Sequence, residues 1–184
     1  DIPVLQFRDA SFVEQWPDDS QPVTRPEGDS LARYGKGLLP VDHDQRVHTS
    51  LVFNYPFART REALATIGRT QDWDACHGAK LRYVNPETGD HAMNTIAAFM
   101  QLLPKGFSGK TYRSTDATVF CAVEGAGETA IGDQTFKWGP RDTFVAPSWA
   151  PISHKSLDGE AVLFSFSDRS MQQKLGLWRE KRGS

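Results

Sequence analysis

Tyr112 and Ser114 are the residues whose types and spacing bear most directly on the chemistry open to this chain. They alternate along a strand-like stretch, so their side chains share one face. A mononuclear metal centre built there would need imidazoles, or imidazoles and a carboxylate, converging on one cavity. A phenol and a hydroxyl hold a divalent ion poorly at neutral pH, and the nearby His154 offers a single imidazole. These three residues therefore predict a packed interior that binds no metal.

The adjacent pair Cys76 and His77 suggests a thiol nucleophile beside its base. Neighbouring residues rarely face each other in an extended chain, and the sequence indicates no third group that would orient the base. We therefore interpret the pair as part of a compact polar loop. Cys121 lies in an apolar stretch and is interpreted as a small buried hydrophobic residue. The two cysteines give no disulfide framework.

Short β-strands are expected to position these residues in the second part of the chain. Apolar stretches there are separated by glycine and aspartate turns, and no helix is indicated between them. The predicted strands are residues 81–84, 95–103, 117–124, 128–131, 135–138, 143–145 and 161–167. Many short strands at close spacing predict an all-β sandwich or jelly roll. Residues 171–178 are expected to form a short terminal helix over one end of this barrel.

The first part of the chain, residues 1–80, is predicted to be an arm, whereas residues 81–184 form the barrel. The arm contains several prolines and little periodicity, but it also carries scattered large apolar side chains such as Phe7, Phe12, Trp16 and Phe53. A disordered tail would not carry so many of them. A short helix is predicted near 58–67, ended by Gly68. We expect the arm to pack on the barrel or on a partner domain.

Length and composition exclude several classes of protein. A chain of 184 residues supports one core but not two full domains. The net charge of −2 leaves no basic surplus of the kind that binds nucleic acid. There is no apolar run long enough for a membrane span and no sequence typical of a signal peptide. A cytoplasmic protein without a membrane or nucleic-acid partner is the expectation.

Two blocks of the barrel region resemble the two motifs of the cupin family. The first runs from Gly106 to Gly132 and the second from Trp138 to His154. Metal-binding cupins carry His-x-His in the first block and a further histidine after a Pro-x-Trp turn in the second. The corresponding positions here are Tyr112, Ser114 and Ile152. The resemblance therefore implies a cupin, a double-stranded β-helix with a jelly-roll barrel, in which the metal ligands have been replaced.

Longer segments resemble the gentisate 1,2-dioxygenase family, which includes salicylate and 1-hydroxy-2-naphthoate dioxygenases. The resemblance rests on residues 9–12, 23–35, 53–64, 81–86, 112–120 and 163–169. These enzymes are bicupins of aromatic compound catabolism. The resemblance implies that this chain is the C-terminal half and that a missing N-terminal half holds Fe(II) through three histidines. That half would bind a hydroxylated aromatic acid, whose ring is cleaved with O2. The C-terminal half would hold no cofactor, carry no catalytic residue, and stabilise a homo-oligomer.

Three functions remain open from the sequence. The first is this structural cupin half. The second is a metal-free cupin that binds a small aromatic carboxylate in its own cavity, with Arg113 pairing the carboxylate. The third is an unusual metal site that draws on His154, Asp116 and either His91 or His77, although their spacing does not support it. The residues expected around the vestigial pocket are Tyr112, Arg113, Ser114, Trp149, Ile152 and His154.

Overall fold

The computed structural model of the chain describes residues 24–37, 39–41, 43–44, 50–70 and 72–183. Most of the described chain is antiparallel β-structure, which confirms the all-β class. The strands are β1 Ala79–Arg82, β2 Ala97–Leu103, β3 Tyr112–Ser114, β4 Thr118–Glu124, β5 Gly127–Ile131, β6 Gln134–Trp138, β7 Thr143–Ala146, β8 Ile152–Ser156, β9 Ala161–Ser167 and β10 Glu180–Arg182. The arm residues Phe7, Phe12 and Trp16, and the family-like segment 9–12, lie outside the described residues.

Three short helices flank the strands in the described residues: α1 Asp29–Tyr34, α2 Phe57–Gly68 and α3 Arg169–Lys174. Helix α2 lies where the sequence predicts one, begins after Pro56, and buries Leu64. Helix α3 is shorter than the predicted 171–178 helix, because the chain turns at Gly176, whose φ of 69° is left-handed, and continues into β10. Neither α1 nor β10 was predicted.

The strands form two five-stranded sheets, with orders β1-β2-β9-β4-β7 and β10-β3-β8-β5-β6. Strand β9 lies between β2 and β4, and this register places Ser165 directly opposite both Phe99 and Phe120. Strand β1 pairs with β2 and crosses the boundary predicted at residue 80 between arm and barrel. That division of the chain into two parts stays a prediction.

The main core lies between the two sheets. Its buried residues include Leu103, Tyr112, Phe120, Ile152 and Leu163. A second core forms on the outer face of the first sheet, where α2 covers β1, β2 and β9. Both faces of β2 are therefore buried, which explains why nearly every residue of that strand is inaccessible to solvent.

Alternation along β4 decides which of its residues face the main core. Thr118, Phe120 and Ala122 are buried, whereas Val119 and Cys121 lie on the other face and are partly accessible. The interpretation of Cys121 as a buried hydrophobic residue is therefore wrong. Its apolar neighbours gave no indication of the face, because both sets of alternate residues in this strand are largely apolar.

Candidate functional site

Strand β3 directs two of the predicted pocket residues into the barrel and one away from it. Tyr112 and Ser114 are buried, and Tyr112 lies directly opposite Ile152 of β8. Arg113 is exposed on the opposite face, next to Lys181 of β10. The expectation that Arg113 lines the cavity is corrected by this alternation, because a residue between two inward-facing neighbours must point outward.

Trp149 also lies apart from the barrel interior. It occupies the turn between β7 and β8 with a left-handed φ of 62°, and 42% of its surface is exposed. Its backbone N–H donates a hydrogen bond to the carbonyl of Ser114 at 2.7 Å. Trp149 therefore fixes the turn to β3 through its backbone, and its indole ring does not complete the predicted pocket.

His154 lies in the barrel interior and is held by two other side chains. Its Nδ1 is 2.9 Å from Thr129 Oγ1, and the indole N–H of Trp138 donates to the same oxygen at 2.8 Å. An indole N–H can only donate, so the Thr129 hydroxyl accepts from Trp138. Its own proton has no other acceptor among the described residues, and donation to His154 Nδ1 satisfies it. The neutral imidazole then carries its proton on Nε2. That atom has no hydrogen-bond partner among the described residues.

Aromatic rings fill the space around this imidazole. Phe120 lies edge-on to it with ring centroids 4.9 Å apart, and Phe144 stacks on Phe120 at 5.1 Å. Burial lowers the pKa of His154 well below its ordinary value, and the charges of Lys80 and His77 add to the effect. Burial likewise raises the pKa of the Tyr112 phenol. Both side chains are therefore neutral at pH 7.

The loop before β1 contains the Cys76–His77 pair. Asp74 accepts the backbone N–H groups of both residues at 2.9 Å, which makes the compact turn that the sequence predicts. Burial raises the pKa of the Cys76 thiol and lowers the pKa of His77 to about 4. The His77 ring instead packs on Tyr112, with centroids 4.3 Å apart, and its Nε2 lies 3.6 Å from Glu180. A protonated thiol and a neutral, engaged imidazole are not an activated nucleophile pair.

Curated relatives match nearly the whole chain, although no family model matches it. Gentisate 1,2-dioxygenase 1 of Aquipseudomonas alcaligenes is 55% identical over 182 residues, which are 99% of this chain and 52% of the relative. The 5-aminosalicylate 1,2-dioxygenase of a Comamonas species is 32% identical over 98% of this chain and 48% of its own length. This chain resembles one half of a gentisate 1,2-dioxygenase. It spans about half the length of the curated relatives it matches.

A solved relative shows the same relationship in three dimensions. Salicylate 1,2-dioxygenase of Pseudoaminobacter salicylatoxidans, crystallised as adducts with gentisate, has a TM-score of 0.82 and 30% identity to this chain. The match covers 100% of this chain and 52% of that enzyme. The gentisate dioxygenase-like chain therefore has the cupin fold that its sequence motifs predict. No helix among its described residues is both long and apolar enough to cross a membrane.

The side chains present do not fit an iron centre of the gentisate dioxygenase kind. The three motif positions hold a neutral phenol, a hydroxyl and an alkyl group, at Tyr112, Ser114 and Ile152. His154 Nδ1 is already engaged by Thr129. Within the described ranges, no three His, Cys, Asp or Glu side chains gather closely enough to hold a metal ion. The third hypothesis, an unusual metal site on His154 and Asp116, has no support in this geometry.

Asp116 has a structural role instead. Its carboxylate lies 3.2 Å from Arg169 of α3 and accepts the indole N–H of Trp178 at 2.9 Å. Burial alone would raise its pKa, but Arg169 and hydrogen bonds from Ser167, Trp178 and Ser114 outweigh burial and lower it to about 2. The buried carboxylate thereby attaches α3 and the segment that follows it to the end of the barrel.

Sequence reasoning missed the polar residues that the first sheet directs into the barrel, namely Lys80, Gln101 and Ser165. Lys80 and Gln101 are cross-strand partners of β1 and β2, so their side chains lie on the same face. Alternation in β1 offered a signal, since Ala79 and Leu81 pack toward α2 and Lys80 must then point the other way. The prediction began that strand at residue 81 and therefore excluded Lys80.

Proposed function

We propose that this chain is the C-terminal, metal-free cupin half of a gentisate 1,2-dioxygenase-like enzyme that cleaves the ring of a hydroxylated aromatic acid with O2. The observation that carries the proposal is the match of 99% of the chain to 52% of a gentisate 1,2-dioxygenase. Such a match is expected if the chain corresponds to one of two cupins. In this proposal the iron and the catalytic residues belong to the other cupin.

The chemistry of the barrel interior supports assigning the structural role to this half. Tyr112 and Ser114 replace the paired histidines, and Ile152 has no atom that can bind a metal. The space is filled by packed rings, including Phe120 and Phe144. An iron centre needs several converging ligands, and the described side chains of this interior do not supply such a set.

An apolar groove on the outer face of the first sheet supports the proposal of a partner. The groove has a volume of about 540 Å³ and is lined mainly by apolar and aromatic side chains, including Val52, Phe53, Tyr83 and Phe164. Phe53 is 95% exposed at its edge. An apolar patch of this kind is typical of a surface that a partner covers. We assign the catalytic cupin half as that partner, and a homo-oligomer of the complete enzyme as the final assembly.

Reconstitution from two halves tests this function. The half of the Aquipseudomonas alcaligenes relative that this chain does not match would be produced with Fe(II). Gentisate-dependent O2 uptake would then be measured with and without this chain. We expect the chain alone to be inactive, and we expect it to bind the iron-loaded half and raise its activity. Uptake by the chain alone would contradict the assignment of the iron to the other half.

A pair of matched variants tests the surface. Phe53→Ser is expected to weaken association of the two halves, whereas Phe136→Ser should not. Phe136 is a partly exposed phenylalanine, but it lies on β6 of the second sheet. Both variants should fold as well as the wild type, because neither side chain is buried. Equal association of both variants with the iron-loaded half would contradict the placement of the interface on the first sheet.

A further inference from the structure

The outer face of the first sheet carries apolar side chains well beyond the groove. Helix α2 lies against β1 and β2, at one side of this sheet. Toward the other side, Val119, Cys121 and Val123 of β4 point away from the main core and are partly accessible to solvent. Phe166 of β9 is 40% exposed, and Val145 of β7 is 54% exposed. The part of the sheet that lies away from α2 is therefore apolar on its outer face.

Strand pairing aligns these side chains into two rows, which we name the outer sheet face. Residues directly opposite each other on paired strands share one face of a sheet, so each row is continuous from β2 through β9 and β4 to the edge strand β7. None of the eight residues in the rows is charged. The rows are Ala98, Phe166, Val119 and Val145, followed by Met100, Phe164, Cys121 and Thr143.

The outer sheet face is continuous with the groove that we assign to the catalytic cupin half. Ala98, Met100 and Phe164 belong to both surfaces, since they also line the groove. The centroids of the Phe164 and Phe166 rings lie 6.2 Å apart, which extends the aromatic surface from the groove along β9. A partner that fills the groove therefore also lies at the border of the outer sheet face.

The size of the groove gives a second reason to extend the interface. A stable interface takes roughly 20–30 residues and about 800 Å² from each partner. Eleven residues line the groove, which is too few for such an interface. Each row of the outer sheet face crosses four strands about 4.8 Å apart, and the two rows lie about 7 Å apart, so this face adds roughly 200 Å². The two surfaces together come closer to the size that stable association requires.

Charge decides which kind of partner the outer sheet face fits. The nearest ion pairs lie at its margin, where Arg61 of α2 pairs with Glu124 and Glu160. Nucleic acids and anionic membrane surfaces are recognised by clustered cations, which the two rows do not contain. An uncharged apolar face instead packs against the apolar surface of another protein.

We propose that the groove and the outer sheet face form one continuous interface and that the catalytic cupin half covers both. The inference rests on the proposed function, because it takes that half as the occupant. It extends the contact from the groove across the whole sheet to the edge strand β7. Cys121 lies within the interface, so association with the other half removes its side chain from solvent.

Thiol labelling of the wild-type chain tests this inference without any substitution. The chain has two cysteines, Cys121 on the outer sheet face and the buried Cys76. A small thiol reagent should modify Cys121 in the free chain, and mass spectrometry of the peptides distinguishes the two sites. We expect an excess of the iron-loaded half to slow the modification of Cys121 by about tenfold or more. The slowing should be similar at about 50 and 500 mM NaCl, because salt screens charges and not apolar contacts.

Two glutamate variants test the far end of the interface. Val145→Glu places a carboxylate on β7, at the end of the outer sheet face away from the groove. Thr135→Glu is the matched control, since Thr135 is exposed but lies on β6 of the second sheet. Neither side chain is buried, so both variants should fold. Val145→Glu should weaken association with the iron-loaded half by about tenfold or more, because the carboxylate would have to leave water. Thr135→Glu should associate like the wild type.

The outcomes separate this inference from the proposed function. If the halves associate and raise O2 uptake while Cys121 stays equally reactive, the outer sheet face lies outside the interface and only this inference is wrong. Equal association of Val145→Glu and Thr135→Glu would lead to the same conclusion. If the halves do not associate at all, both the inference and the proposed function are wrong. Slower labelling of Cys121 at rising concentrations of the chain alone would assign the face to a second copy and overturn the choice of occupant.

Discussion

Thr129→Val is the substitution that tests the organisation of the barrel interior most sharply. Thr129 is fully buried, and its hydroxyl is shared by Trp138 Nε1 at 2.8 Å and His154 Nδ1 at 2.9 Å. Valine has nearly the same shape, so the substitution creates no large cavity. It removes one atom that satisfies two buried polar groups.

The expected cost follows from those two groups. A buried donor or acceptor left without its partner costs about 1–3 kcal/mol, so the two together set limits of about 2–6 kcal/mol. Rotation of the imidazole relaxes part of this cost, and we expect about 3 kcal/mol. For a chain of this size, that corresponds to a fall in Tm of roughly 6–12 °C.

Urea unfolding followed by circular dichroism measures this loss of stability. The matched control is Thr135→Val, since Thr135 lies in the same β5–β6 hairpin but is exposed. The control should change the free energy of unfolding by no more than about 0.5 kcal/mol. A Thr129→Val variant as stable as Thr135→Val would refute the hydrogen-bond network and the Nε2 tautomer inferred from it.

Three further predictions concern stability. Phe120→Ala should lower the free energy of unfolding by about 3–5 kcal/mol, because it leaves a cavity in the main core. Phe166 is partly exposed, and Phe166→Ala should cost much less. Equal losses in urea unfolding would contradict the assignment of Phe120 to the core-facing side of β4. Stability should fall as the pH drops from 3.8, the ordinary pKa of an aspartate, toward about 2, the pKa of Asp116 in the folded chain, because protonation of Asp116 removes its ion pair with Arg169. Arg169→Met should lower the free energy of unfolding by about 3–5 kcal/mol at neutral pH, and a loss below about 1 kcal/mol would argue against a buried pair. Stability should also fall as the pH drops from 6.5 to about 4, because His77 becomes protonated in the unfolded chain while it stays neutral in the folded one. His77→Gln should reduce this dependence of stability on pH, measured from urea midpoints, and an unchanged dependence would contradict the lowered pKa of His77.

The sequence predicted the fold class because short alternating stretches and turn residues are local signals. It also predicted α2, the compact turn around Asp74, and the inward positions of Tyr112 and Ser114. Strand β8 was not predicted as a strand, since its residues Ile152–Ser156 mix polar and apolar types. Strand β10 has no apolar pattern, because its three residues Glu180–Arg182 are charged and form an edge.

The candidate site was predicted less completely than the fold. Arg113 was assigned to the pocket from its place in a motif, but strict alternation in β3 turns its side chain outward. Trp149 was assigned in the same way, and the left-handed turn removes its ring from the interior. Lys80 and Ser165 come from strands distant in sequence, so only the pairing of β1, β2 and β9 brings them to the same face of the first sheet. Such non-local pairing is not encoded in any single stretch of the chain.

The metal content of the purified chain tests the central claim most directly. The chain would be incubated with excess Fe(II) without oxygen, freed of unbound metal, and analysed for iron by mass spectrometry. Because Tyr112, Ser114 and Ile152 occupy the ligand positions and Thr129 engages His154 Nδ1, we expect no stoichiometric iron. About one iron per chain, lost in His154→Ala but retained in the matched Lys155→Ala variant, would show a functional metal centre and contradict the assignment of this cupin as the structural half.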